Sequence, residues 1–169
     1  MKILITYFSN TGNTEKVAYS IKAGMESHDI DLLKVKDTDP NSLKEYDLVV
    51  LGSGIYAGKI SKEIVDLVKN AEVLPQKFAF FCTHASPNLY QKGWKMVRKR
   101  IKDENLMVIG EFDCYGEQLG IPIEMRMSML EKLPPDEQEK AKKHMDALKE
   151  HPNAEDLENA RNFGKSLVN

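Results

Sequence analysis

Cysteine is nearly absent from the 169-residue chain: two residues, Cys82 and Cys114, stand far apart and in no metal-ligand spacing. That excludes a disulfide scaffold, a zinc site and a haem attachment motif, and it suits a reducing cytoplasm. Long apolar runs are missing too. The N-terminal run, Lys2 to Tyr7, falls short of the ~7 to 15 apolar residues of a signal-peptide core and no small-residue cleavage site follows, so neither export nor a membrane span is expected. Nor is there a charge excess of one sign: 24 Lys+Arg stand against 26 Asp+Glu, for a net charge of -2. Without a strong positive field, no nucleic-acid partner is expected. Internal repeats and low-complexity segments are absent. What remains is one domain, residues 1–169, long enough to bury roughly 70% of its unfolded surface in a single core without a metal or a crosslink.

The chain alternates short apolar runs with helical periodicity. Lys2 to Tyr7 reads as a strand, followed by the polar cluster Ser9 to Thr14 and a helix marked by Val17, Ile21 and Met25. Ile30 to Val35 is a second strand. Leu48 to Leu51 is a third, stopped by Gly52, Ser53 and Gly54, with Ile64, Leu67 and Val68 then at helical spacing. Lys77 to Cys82 is a fourth strand, Leu89 to Lys102 a helix, and Leu106 to Cys114 a fifth strand. Two helices close the chain, Asp136 to Lys149 after Pro134-Pro135 and Glu155 to Leu167 after Pro152. Strands apolar on both faces, alternating with amphipathic helices, predict an α/β fold: a three-layer, doubly wound, five-stranded parallel sheet. In such sheets ligands bind outside the carboxyl ends of the strands where strand order reverses.

The loop after the first strand offers the hydroxyls of Ser9, Thr11 and Thr14, the amides of Asn10 and Asn13, and backbone N–H groups at a helix start, with Gly12 in the turn. That set suits a small phosphomonoester held by neutral donors. It lacks the Gly and Lys of the P-loop and the three glycines of the dinucleotide fingerprint, so a nucleoside triphosphate or NAD fits it poorly. By itself it also reads as an ordinary turn in which Ser, Asn and Thr cap a helix.

Tyr7-Phe8-Ser9-Asn10-Thr11-Gly12-Asn13-Thr14 resembles the phosphate-binding loop of the flavodoxin family. After the third strand, Gly54-Ile55-Tyr56-Ala57-Gly58, with Gly52-Ser53 before and Lys59 after, resembles the family's segment around the isoalloxazine ring of FMN, with Tyr56 as the stacking aromatic. After the fourth strand, Thr83-His84-Ala85-Ser86-Pro87-Asn88 stands where the family offers backbone N–H groups to the flavin's pyrimidine edge. The resemblance covers about Met1 to Cys114 plus the last helix and implies the strand order 2-1-3-4-5. It implies FMN as cofactor and electron transfer between redox partner proteins, with no catalytic side chain and no metal. Stacking on Tyr56 would add roughly 0.5–1.5 kcal/mol beyond area burial.

The same glycine-flanked loop also resembles that of flavodoxin-type protoporphyrinogen oxidases, and an FMN-dependent NAD(P)H:quinone reductase is a further alternative. A flavin-binding regulatory module is a third class. Carriers of the family are strongly acidic, whereas this chain has a pI of about 6.1. Members commonly set a glycine directly after the first aromatic, where a peptide flip stabilises the one-electron-reduced cofactor; here Ala57 stands there and Gly58 one residue later. Lys59 beside this loop would favour the fully reduced anion. No aromatic lies between Thr83 and Leu89, leaving Tyr90 and Trp94 as candidates for the second ring face, although Trp94 shares helical spacing with Val97 and Ile101 and reads as core.

Lys92, Lys95, Arg98, Lys99, Arg100 and Lys102 form a basic helix, either a solvated face or a docking surface for an acidic partner or the phosphate of NADPH. His84 is read as the one histidine near the site, and Cys82 and Cys114 as buried, inert thiols. The added helical segment at about 117–151 carries Met125, Met127, Met129, Leu130 and Leu133. It is expected to pack as an extra helix, with a lid over the flavin or a homodimer contact as the alternatives; Tyr115 and Glu117 before it are placed to face the ring edge.

Overall fold

The computed structural model describes residues 1–86 and 90–169, so Asn88 and the expected helix start at Leu89 lie outside the described residues. Five strands, β1 (Lys2–Phe8), β2 (Asp29–Lys34), β3 (Leu48–Gly54), β4 (Lys77–His84) and β5 (Met107–Tyr115), form one parallel sheet in the order β2-β1-β3-β4-β5. The expected class and strand order hold. Helices α1 (Asn13–Ala23) and α7 (Ala154–Ser166) cover one face, while α2 (Lys62–Asn70) and α4 (Lys95–Asp103) cover the other. Alternation along β1 divides its side chains: Ile3 and Ile5 join Val17, Ile21 and Ala160 on one side, whereas Leu4 meets Ile64, Leu67 and Ile101 on the other. Among the described residues no helix is long and apolar enough to cross a membrane.

Two local readings change. Gly52, Ser53 and Gly54 do not stop β3 but continue it, because Gly52 pairs with Phe81 and Tyr7, and Ser53 with Cys82 and Phe8, in the ladders on either side. A Cβ on Gly52 would stand 2.0 Å from the Phe81 ring, so only glycine admits that ring there. The expected fourth helix is broken at Trp94 into α3 (Tyr90–Gly93) and α4. Trp94 is the cause: it is 2% exposed and stacks on Phe80 at 4.6 Å, which draws the chain into the core.

The segment after β5 forms α5 (Ile123–Glu131) and α6 (Pro135–Ala147). The expected packing of its methionines is not found. Met125 and Met129 are 56% and 59% exposed, and of the residues of α5 only Leu130 is buried.

Three of the six cations of the basic segment are satisfied within the fold. Arg98 makes a bidentate pair with Glu111 at 2.5 and 2.6 Å, and Lys99 pairs with Asp103. Arg100 donates to the carbonyls of Val68, Lys69 and Ala71, capping the carboxyl end of α2. Lys92, Lys95 and Lys102 stay exposed without an ion pair among the described residues, so half of the cations that suggested a docking face remain.

Helix α7 crosses α1 through two glycines. A Cβ at Gly164 would lie 2.3 Å from the Ile21 carbonyl oxygen, and one at Gly24 would lie 2.1 Å from that of Arg161. Backbone cannot yield as a side chain does. Gly164→Ala is expected to destabilise the fold by about 1–3 kcal/mol, read as a lower denaturant midpoint; an unchanged midpoint would contradict this close crossing.

Candidate functional site

The carboxyl ends of β1, β3, β4 and β5 open into a cavity of about 320 Å³. It sits beside the junction of β1 and β3, where the chain reverses its direction of strand addition. Its walls bring together Ser9, Asn10, Thr11, Asn13, Thr14, Gly54, Ile55, Tyr56, Ala57, Thr83, His84 and Ala85 of the expected set. Gly12, Gly58 and Ser86 flank it without lining it, and Lys59 is exposed outside it.

The polar side chains of the first loop divide into two groups. Thr14 and Thr83 share a buried hydroxyl–hydroxyl bond of 2.9 Å, and the Asn13 amide donates to the Glu117 carbonyl at 2.8 Å. These are struts beneath and beside the cavity. Asn10 and Thr11, in contrast, form no side-chain hydrogen bond among the described residues, while the Ser9 hydroxyl accepts from the Gly12 N–H at 3.1 Å and keeps its own proton free. Gly12, at φ 94°, opens α1 without a side-chain cap. The first-turn N–H groups of that helix thus face the cavity mouth with no capping oxygen.

Opposite this loop, Tyr56 lies over Gly54. A Cβ on Gly54 would meet the Tyr56 hydroxyl at 2.6 Å, so the glycine is what lets the ring lie down. The hydroxyl accepts from the Asn10 N–H at 3.3 Å and the ring meets Phe8 edge-on at 5.7 Å. Burial raises the Tyr56 phenol above its ordinary pKa. Tyr56 and Lys59 exchange backbone hydrogen bonds of 2.7 and 3.0 Å around Ala57 (φ 49°) and Gly58 (φ 77°). Two consecutive positive φ values define a two-residue type I′ turn, which Ala57 enters at a steric cost that glycine would avoid.

Behind the cavity His84 is 4% exposed, with its Nε2 2.8 Å from the Asp113 carboxylate, its ring stacked on Tyr90 at 5.1 Å, and its Nδ1 buried without a partner. It is not the one histidine there. His144 of α6 donates to the Ala85 carbonyl at 2.6 Å, and His144 and His151 both turn edges toward Tyr115. Neither Tyr90 nor Trp94 lines the cavity. Its remaining wall comes from Gly116, Glu117, Gln118, Leu119, Gly120 and Ile121, of which the sequence pointed to Glu117 alone. The signal for the others was weak, since only the glycines at 116 and 120 hint at close approach. A Cβ at Gly116 would stand 3.0 Å from Asn13 Nδ2, and one at Gly120 would stand 3.5 Å from Thr11.

Cys82 and Cys114 are free and buried, and burial above all, with Asp113 contributing, raises both thiols far above the ordinary range. They are inert, as expected. Among the described residues no group of three or more His, Cys, Asp or Glu side chains is placed to hold a metal.

A family model described as the flavodoxin domain matches residues 4–165. An uncharacterised protein of Methanocaldococcus jannaschii is 30% identical over 170 residues, covering 99% of each chain. Oxidised flavodoxin 1 from Bacillus cereus superposes with a TM-score of 0.66 at 16% identity, covering 99% of this chain and 97% of its own. A Fusobacterium nucleatum flavodoxin mutant bound to flavin mononucleotide gives a TM-score of 0.56 at 15% identity, over 64% of this chain and 67% of its own. The chain belongs to the flavodoxin-domain family.

The I′ turn supplies a test of this geometry. Stability is expected to fall in the order Gly, Ala, Val at position 57: Ala57→Gly gains up to ~1 kcal/mol and Ala57→Val loses ~1–2 kcal/mol. Thermal unfolding of the three proteins checks the order, and a valine variant as stable as the parent would exclude the positive φ.

Proposed function

We propose that this flavodoxin-domain protein binds FMN in the cavity at the carboxyl edge of the sheet and passes electrons between redox partner proteins in the cytoplasm. The observation that carries the reading is the pairing of two unlike walls. One wall has unspent neutral donors, Ser9, Asn10, Thr11 and the uncapped start of α1; the other has the Tyr56 ring, its hydroxyl end resting on Gly54. A phosphomonoester needs the first wall and a flat redox ring needs the second.

The fit follows from the same residues. The first-turn N–H groups of α1 and the hydroxyls of Ser9 and Thr11 would hold the phosphate, and among the described residues no lysine or arginine lines the cavity. Tyr56 and Leu119, from opposite walls, would cover the ring. Backbone groups from Thr83 to Ser86 would meet its polar edge. The Ala85 carbonyl is already tied by His144, which fixes that loop before a ligand arrives. FMN, when bound, supplies the electron chemistry, while the protein supplies orientation, exclusion of water and the local field. Among the described residues Glu117 is the one acidic residue lining the cavity, and its negative charge disfavours added negative charge nearby.

A second reading, an FMN-dependent oxidoreductase acting on a small molecule, is favoured by the 116–121 wall. It narrows the cavity from the side opposite Tyr56. Stepwise reduction separates the two: a one-electron-reduced form that accumulates supports the carrier, and direct two-electron reduction by NADH or NADPH supports the enzyme.

The cofactor site is tested by titration of the flavin-free protein with FMN and with riboflavin. FMN is expected to bind much more tightly than riboflavin. Combining Ser9→Ala with Thr11→Val should weaken FMN at least ~10-fold, since each bond to a charged phosphate contributes about 1.5–3 kcal/mol, while leaving riboflavin nearly unchanged. Equal affinities for the two flavins would remove the phosphate assignment.

A further inference from the structure

A second cavity, of about 310 Å³, opens between α5 and α6 on the far side of the 116–121 wall. Its size is at the lower end for small-molecule sites. Ile123, Met127 and Met145 make its apolar part, and Arg126 and Lys142 bring cations into it. The anions on the same wall are already engaged. Asp146 pairs with Lys149 at 2.6 Å, and the Glu117 carboxylate accepts from the Glu150 N–H at 3.1 Å. Arg126 and Lys142 form no ion pair among the described residues, and the Arg126 Nε is buried with no hydrogen-bond partner. An arginine without a carboxylate partner at the edge of an apolar cleft offers its outer, accessible N–H groups to an anion. A carboxylate matches it best, because the guanidinium fork engages both oxygens at once. The two methionines add a preference for the rest of the ligand, since thioether sulfur packs favourably against aromatic rings.

We propose that the cleft between α5 and α6 binds a small aromatic carboxylate, its acid group on Arg126 and Lys142 and its ring on Ile123, Met127 and Met145. The position says more. Glu117 lines both this cleft and the cavity beside β1 and β3, so a ligand in one lies against the wall of the other. On the oxidoreductase reading, such an acid is held one wall away from the cofactor. That step rests on FMN occupying the first cavity, whereas the binding site itself does not.

The test uses the full chain free of flavin and two nearly isosteric probes, anthraquinone-2-carboxylate and neutral 2-(hydroxymethyl)anthraquinone, titrated by calorimetry. The acid is expected to bind the parent protein more tightly than the neutral probe. Arg126→Gln should weaken it at least tenfold and Lys142→Gln by less, Arg126→Lys should restore part of the loss, and the neutral probe should not distinguish the variants. FMN affinity, measured on the same variants, should stay unchanged and thereby report that they fold. Equal binding of the acid to the parent and to Arg126→Gln, or no binding below millimolar concentration, overturns the site. A protein that binds FMN but not the acid overturns this proposal alone; one that binds the acid but not FMN supports the cleft and removes the cofactor reading of its neighbour.

Discussion

Everything at the site depends on a sheet that is covered on both faces. The apolar interiors of β1 and β3 are buried to the last atom, so neither strand can shift register without placing an entire apolar set against the wrong helix layer. Their carboxyl ends are fixed as a result, and with them the starting points of the two loops that face each other across the cavity. Loop geometry here is inherited from strand registry. The Ile55 N–H reaches the Thr83 carbonyl at 2.9 Å, and the Gly116 N–H reaches that of His84 at 3.0 Å, each link carrying the ladder one step past the formal end of a strand.

Where a residue's role is set by its own backbone or by strand alternation, the sequence reveals it. Apolar runs placed all five strands to within a few residues, and the first loop, the Tyr56 loop and the Thr83 loop came to one edge because parallel strands leave them no other place. Roles set by a distant partner stayed hidden. Nothing local to Asn13 says that its amide will be spent on Glu117, 104 residues away, or that Thr14 will bond Thr83 and so serve as a strut. The basic helix misled for the same reason: Arg98 and Arg100 read as surface charge until β5 and the end of α2 supply their acceptors. Helix α5 misled in the opposite sense. Alternating methionines occur on buried and exposed helices alike, and only the placement of neighbours decides which; here the neighbours leave them open.

The segment after β5 is not an appendage of the sheet. It is attached at several points: Asn13 to the Glu117 carbonyl, the Glu117 N–H to the His151 carbonyl at 2.8 Å, and His144 to Ala85. These bonds tie the segment to α1, to the turn before α7 and to the loop after β4, so the 116–121 wall is held from three sides. Several of these attachments lead through residue 117. Its carbonyl meets Asn13, while its N–H and carboxylate meet the adjacent His151 and Glu150, which is why a residue with no helix or strand of its own is nevertheless well placed.

The electrostatics of this arrangement bear on what a near-neutral member of the family can do. An acidic carrier attracts its partners over long range, but a chain with 24 basic and 26 acidic residues has little such field at physiological ionic strength, where screening sets in within ~8 Å. Selectivity must then come from contact. The surfaces available for it lie at the cavities: Leu119 on the wall of the first, and Ile123 and Met127 on the wall of the second, are exposed, and among the described residues Arg126 and Lys142 of the second have no ion-pair partner. An apolar, polarizable rim with local positive charge selects by shape and by a single anionic group, not by overall attraction. Contact of that kind discriminates without a long-range field, and it gives the modest net charge a physical reason.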